Sequence, residues 1–238
     1  MQGSLPLPLR QRQQLSGPVA LSGRAGSGTA HCCAWGARNA GVWVVVLCLC
    51  ALLAACKYQQ PPLPRIGPDD VVLAFGDSLT YGTGAEESES YPAVLAALIG
   101  RKVVRDGVPG EVTQGGLERL PASLEEHRPK LLLLCLGGND TLQKVPPETT
   151  EANLRAMVQL ARARGVAVVL IGVPRPLGGT AEYYARIAQA LSIPLEANVV
   201  KDVLYDRSLK SDAIHPNAAG YRRMAEAIAS LLRAAGAI

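Results

Sequence analysis

The chain has 238 residues, 48% hydrophobic and 18% charged, an ordinary globular composition with length for one well-buried domain. Its formal charge of +4 is uneven: Arg10, Arg12, Arg24 and Arg38 are the only charged residues before Cys56, and the remaining 20 basic residues are matched by 20 acidic ones. No basic patch or basic–aromatic stretch appears, which argues against nucleic acid as a partner.

Residues 1–40 are rich in Gly, Ser, Gln and Arg and show neither a helical nor a strand period. Residues 41–55 read GVWVVVLCLCALLAA, an apolar run without a charge, preceded by Arg38 and followed by Cys56 and Lys57. A charged region, a short apolar run and small residues at its end describe a secretory signal. The run falls short of the roughly 20 apolar residues that span a bilayer. Leu53-Ala54-Ala55-Cys56 resembles a bacterial lipobox, which implies cleavage before Cys56 and diacylation of its thiol. Lys57 in the next position resembles lipoproteins sent on to the outer membrane. The expected location is therefore the periplasmic side of a bacterial cell envelope, held by a lipid anchor at Cys56. A secreted periplasmic protein with a plain cleaved signal, or an uncleaved anchor, are the alternatives. The leader before Arg38 is long for a signal, so the start codon is expected downstream of Met1, leaving residues 1 to about 30 untranslated.

Residues 57–68 (KYQQPPLPRIGP) carry four prolines and read as an extended tether to a single domain over 69–238. Within that domain, apolar strand-like runs at Val71–Phe75, Lys102–Arg105, Lys130–Leu136, Val166–Val173 and Ile193–Glu196 alternate with helical patterns. The helices are expected at Tyr91–Ile99, at Leu117–Glu126 (broken by Pro121 into a short helix or two), and at Glu151–Arg164, Glu182–Leu191 and Ala218–Ala234. Glu151–Arg164 places Leu154, Met157, Val158 and Ala161 on one face. Such alternation predicts an α/β fold, a parallel sheet covered by helices on both sides, with its site at the carboxyl ends of the strands. Of six cysteines, only Cys135 falls inside the domain, where it reads as a buried strand residue without a partner. No metal-ligand spacing, phosphate loop or dinucleotide fingerprint is present, so no metal or organic cofactor is expected.

The first strand runs into Gly76-Asp77-Ser78-Leu79-Thr80, a turn that presents one serine. A serine needs a base to become a nucleophile, and the chain has three histidines. His31 is in the leader, and His127 precedes the third strand at its amino end, about 20 Å from the far strand ends. His215 remains, on the loop entering the last helix, with Asp212 three residues earlier where its carboxylate reaches the imidazole Nδ1. Alone, that spacing equally fits an Asp capping a turn beside a surface histidine. Leu136-Gly137-Gly138-Asn139-Asp140 closes the third strand and Asp106-Gly107-Val108-Pro109-Gly110 the second. The Asn139 amide, the Gly110 N–H and the Ser78 N–H can serve as oxyanion donors, each typically worth ~3 kcal/mol in a transition state. Asp77 reads as a turn-former rather than a second base.

These blocks, GDSLT at 76–80, the Gly110 turn, GGND at 137–140 and D-x-x-H at 212–215, resemble the SGNH (GDSL) hydrolase family in order and spacing. Within that family the wording is most similar to the bacterial secreted arylesterase, thioesterase and lysophospholipase subgroup. The resemblance implies a flavodoxin-like three-layer α/β/α sandwich with a five-stranded parallel sheet. It implies Ser78 as nucleophile, Asp212 and His215 completing the triad, and Gly110 and Asn139 in the oxyanion hole. It implies no cofactor, and a small acyl ester, thioester or lysophospholipid as substrate. Asp106 and Pro109 depart from it, since the family's second block usually opens with Asn and carries Ser before the glycine. A carbohydrate O-deacetylase on the same fold and a non-catalytic lipid-binding envelope lipoprotein remain open alternatives. The groove is expected over the strand ends, walled by Pro174–Thr180, with mobility suggested by Gly178 and Gly179.

Overall fold

The computed structural model describes residues 60–175 and 178–238. The expected leader over 1–56 with its expected lipidation site Cys56, and the first residues of the 57–68 segment, lie outside the described residues, as do Pro176 and Leu177.

Five parallel strands form one sheet in the order β2-β1-β3-β4-β5: β1 (Val71–Gly76), β2 (Lys102–Gly107), β3 (Leu131–Cys135), β4 (Ala167–Ile171) and β5 (Leu195–Glu196). Strands β1, β3 and β4 are nearly continuous runs of buried Val, Leu and Ile, the composition of strands covered on both faces. The helices are α1 (Ser78–Tyr81), α2 (Tyr91–Ile99), α3 (Thr113–His127), α4 (Gly138–Leu142), α5 (Pro147–Ala163), α6 (Glu182–Leu191), α7 (Val199–Tyr205) and α8 (Ala218–Ala234). Helix α8 packs with α2 and α7, and α5 packs with α3 and α6, giving the two helical layers of an α/β/α sandwich.

The chain leaves β1 for β2 on one side and returns to β3 on the other, so strand order switches at β1. Register aligns the strand ends there, Gly76 opposite Gly107 on one side and Cys135 on the other. This is where an open parallel sheet forms its crevice. The segments that follow β1, β2 and β3 carry Ser78 at the start of α1, Gly110 in a turn, and Asn139 in the first turn of α4.

Two expectations need correction. Thr113–His127 is one helix with Pro121 inside it, not two short ones. Burial of Leu120 and Leu124 holds it together against a proline cost of about 3 kcal/mol. The described part of the proline-rich segment is docked on the domain. The Leu63 and Ile66 amides donate to the carbonyls of Ala235 and Ala237 (2.9 and 2.8 Å), and the Ile66 side chain is buried. Gln60 pairs through its side-chain amide with both backbone groups of Leu195. The intervening prolines extend the chain, which leaves these donors free to pair.

Candidate active site

Asp77 caps α1, its Oδ1 accepting from the Leu79 N–H at 3.0 Å, while its carbonyl accepts from Tyr81 N–H at 2.9 Å. This is the turn-forming role the sequence suggests for it. Gly107 on β2 lies against the same turn. A Cβ there would sit 2.3 Å from the Tyr81 nitrogen, so only glycine lets β2 approach this closely. Ser78 is thereby held at the first position of α1, two residues past the end of β1.

The candidate base, His215, is carried on the loop between Lys210 and Pro216. Lys210 bridges Pro216, and the Ser211 N–H donates to the His215 carbonyl at 3.0 Å, closing a tight loop over 211–216. Asp212 Oδ1 accepts from the Ile214 and His215 N–H groups, both at 2.8 Å, and its Oδ2 lies 2.7 Å from His215 Nδ1. Partial burial opposes its charge, but the His215 ring and those two amides outweigh it and hold the carboxyl below the usual range. An ionised Asp212 can only accept, so Nδ1 carries the proton and Nε2 is left as an acceptor. His215 Nε2 stands 3.0 Å from Ser78 Oγ. His127 ends α3 beside Glu126, before the amino end of β3 and away from this crevice.

After β3 the chain turns at Gly137, whose φ of 116° is open to glycine, and enters α4. Asn139 Nδ2 donates to the Glu111 carbonyl at 3.0 Å and to Asp77 Oδ2 at 3.2 Å. Asp77 is 2% exposed. Burial pushes its carboxyl up to about 7, against the pull of the Leu79 N–H and of His215, with Glu111 adding to the rise. Asp140, the next residue, is buried and accepts from the Thr113 N–H (2.9 Å), Thr113 Oγ1 (2.5 Å) and Thr150 Oγ1 (3.2 Å), tying α4 to α3 and α5. The sequence reading assigned no role to Asp140, Glu111 or Arg119. The signal available was Asp140 directly after the Gly137-Gly138-Asn139 turn.

A cavity of about 490 Å³ opens over these groups. Ser78, Asn139 and His215 line it together with Leu79, Leu142, Val173, Leu204 and Ile214. Pro174 and Arg175 supply the wall expected from the loop after β4. Gly110, exposed and with φ 81°, lies in the turn after β2 and is not among the lining residues. Its carbonyl accepts from Gln143 Nε2 at 3.4 Å, linking that turn to the end of α4. Among the described residues no group of three or more His, Cys, Asp or Glu is placed to hold a metal ion. Cys135 is buried on β3 with no disulfide partner among the described residues.

Residues 74–223 match the model of the GDSL-like lipase/acylhydrolase family. The chain is 33% identical over 163 residues to thioesterase 1/protease 1/lysophospholipase L1 of Escherichia coli K12, covering 64% of this chain and 78% of that one. It is 32% identical over 168 residues to esterase TesA of Pseudomonas aeruginosa, covering 65% and 84%. The crystal structure of TesA superposes with a TM-score of 0.63 at 32% identity, over 69% of this chain and 98% of that one. The esterase EstA from a Pseudoalteromonas species, solved with monoethylphosphonate as inhibitor, superposes with a TM-score of 0.62 at 25% identity, over 69% and 100%. The match contains the serine turn, the asparagine turn and the Asp-His loop whose geometry is given above: the chain belongs to the GDSL (SGNH) hydrolase family and is a carboxylic ester hydrolase.

Proposed function

We propose that Ser78, His215 and Asp212 form a catalytic triad working through an acyl-enzyme. The single observation that carries this reading is the relay Ser78 Oγ to His215 Nε2 (3.0 Å) and His215 Nδ1 to Asp212 Oδ2 (2.7 Å). His215 Nε2 takes the Ser78 proton as Oγ attacks the ester carbonyl, and Asp212 stabilises the imidazolium that forms. The developing oxyanion is met by the Asn139 amide and the Ser78 N–H, both at the cavity, with the Gly110 N–H of the adjoining turn as the third donor that the family resemblance adds. His215 then protonates the leaving alcohol or thiol as the carbonyl–heteroatom bond breaks. A water, deprotonated by the same imidazole, releases the acyl group and restores Ser78. The test is hydrolysis of p-nitrophenyl butyrate by Ser78→Ala, with a loss of about 1,000-fold or more in kcat expected. Full activity in the variant would refute the triad.

The substrate reading is a (thio)ester of the arylesterase, lysophospholipase or thioesterase type. The leaving group must depart on the His215 side, because His215 protonates it. Arg207 and Lys210, which line the same cavity and precede the His215 loop in sequence, would meet it there, and neither is ion-paired with a carboxylate among the described residues. Apolar Leu79, Leu142 and Val173 are available to the acyl chain. This arrangement favours esters with an apolar acyl chain and an anionic group, such as phosphate, on the leaving side. Diacylation of Cys56 and anchoring at the periplasmic face of a bacterial envelope are proposed from the sequence. Intact mass of the mature protein tests them, with a diacylated Cys56 at the N-terminus expected and an unmodified N-terminus contradicting it.

A further inference from the structure

The wall that carries Asn139 is fastened by one arginine outside the groove. Arg119, on α3, grips the Glu111 carboxylate with two prongs, Nε to Oε1 at 2.9 Å and Nη2 to Oε2 at 2.8 Å. Its Nη1 pairs with Asp106 Oδ1 at the end of β2, and its Nη2 lies 3.4 Å from the Asp106 carbonyl. The guanidinium lies over the Phe75 ring, 4.0 Å from its centre, directly beneath the strand that feeds the nucleophile turn. The Glu111 side chain is 9% exposed, so the forked pair is largely out of water, where such geometry is most directional. The same Glu111 offers its backbone carbonyl to Asn139 Nδ2.

We infer that Arg119 is a positioning residue for the oxyanion side of the site, an inference that rests on the triad reading above. Arg119 fixes the Glu111 side chain, and the Glu111 carbonyl then holds one Asn139 amide hydrogen. The second amide hydrogen faces Asp77 Oδ2 across the longer contact of 3.2 Å and is the one a substrate oxyanion can claim. Without the fork, the Glu111 carbonyl is no longer held and the Asn139 amide loses its aim. Asp106 shares the guanidinium and leaves its own Oδ2 buried without a partner. The family's usual Asn at that position would bring no second negative charge, so in this chain two carboxylates draw on the one cation that does the aiming.

A double-mutant cycle with p-nitrophenyl butyrate tests the inference. Arg119→Met is expected to lower kcat about 10-fold with KM within about 2-fold, the signature of a contact made in the transition state. In an Asn139→Ala background the same change is expected to cost less than about 2-fold, because Arg119 acts through Asn139. Arg119→Lys keeps the charge and loses the fork, so it should fail to restore kcat. Should Arg119→Met not fold, Glu111→Gln breaks the charged fork while keeping the backbone carbonyl, and the same coupling to Asn139 is expected. Equal losses in both backgrounds, or a change confined to KM, would overturn the inference. Fluorophosphonate labelling of Ser78 in the wild type reads the triad separately, so an uncoupled cycle with intact labelling removes only the role of Arg119.

Discussion

The two sides of the crevice are built in different ways. The proposed base side is local and wet: Asp212 and His215 are three residues apart, the Asp212 side chain is 54% exposed, and the amides holding it belong to Ile214 and His215. The proposed oxyanion side is distant in sequence and, around Asn139, backed by buried groups. Asn139 leans on Asp77 and Glu111, 62 and 28 residues away, and Asp77 and Asp140 beside it are buried. A six-residue loop can orient a histidine by itself, whereas the asparagine is aimed only after three strands have aligned. Changes on the base side should therefore cost activity alone, and changes on the oxyanion side should cost activity and folding together.

The largest effect is expected from Asp212→Asn, which leaves the shape of the loop but favours the wrong imidazole tautomer. A kcat loss of roughly 1,000- to 10,000-fold is expected, with urea unfolding shifted by less than about 0.5 kcal/mol, as for a surface change. A large loss of stability would break the contrast between the two sides. Asn139→Ala comes next, at roughly 100- to 1,000-fold in kcat with KM little changed. Unlike the Asp212 change, it strips a donor from the buried Asp77 carboxylate and should also lower the urea midpoint.

Asp77 sharpens the contrast through pH. Its carboxyl stays protonated in the folded protein up to about 7, while the unfolded chain releases that proton near the ordinary value of 3.8. Between those values the folded state holds more protons, so wild-type stability should fall relative to Asp77→Asn as pH rises, and level off above about pH 7. The full span is on the order of 4 kcal/mol. Urea unfolding of both proteins from pH 4 to 9 measures it, and a difference that stays flat or runs the other way would contradict the buried, costly carboxylate. The smallest effect belongs to the exposed rim. Arg207→Gln with Lys210→Gln should lower the ratio of kcat/KM for an anionic over a zwitterionic lysophospholipid of equal acyl chain by about 3- to 10-fold, most clearly at low salt. An unchanged ratio would remove the leaving-group reading.

The same contrast decides what the sequence could disclose. The Asp-x-x-His loop is complete within four residues, and elimination of His31 and His127 singles it out. The buried strands announce themselves through Leu131–Cys135 and Val168–Ile171, and helices Tyr91–Ile99, Glu182–Leu191 and Ala218–Ala234 match their expected bounds. Helices α4 and α7 have five and seven residues, too few for a period to show, and α7 opens on two valines that equally suit a strand. The Arg119–Glu111–Asn139 chain and the burial of Asp77 arise from packing between elements, and no spacing encodes them. The proline-rich segment misleads because its composition matches a spacer, while the docking of Ile66 depends on carbonyls at the far end of the chain.

The most direct measurement of the central claim is peptide mass mapping after treatment with a fluorophosphonate. Ser78 aligned with His215 predicts one adduct, on the peptide containing Ser78, formed rapidly in the wild type and absent in His215→Ala on the same timescale. An adduct on another residue, or equal labelling with and without His215, would contradict it.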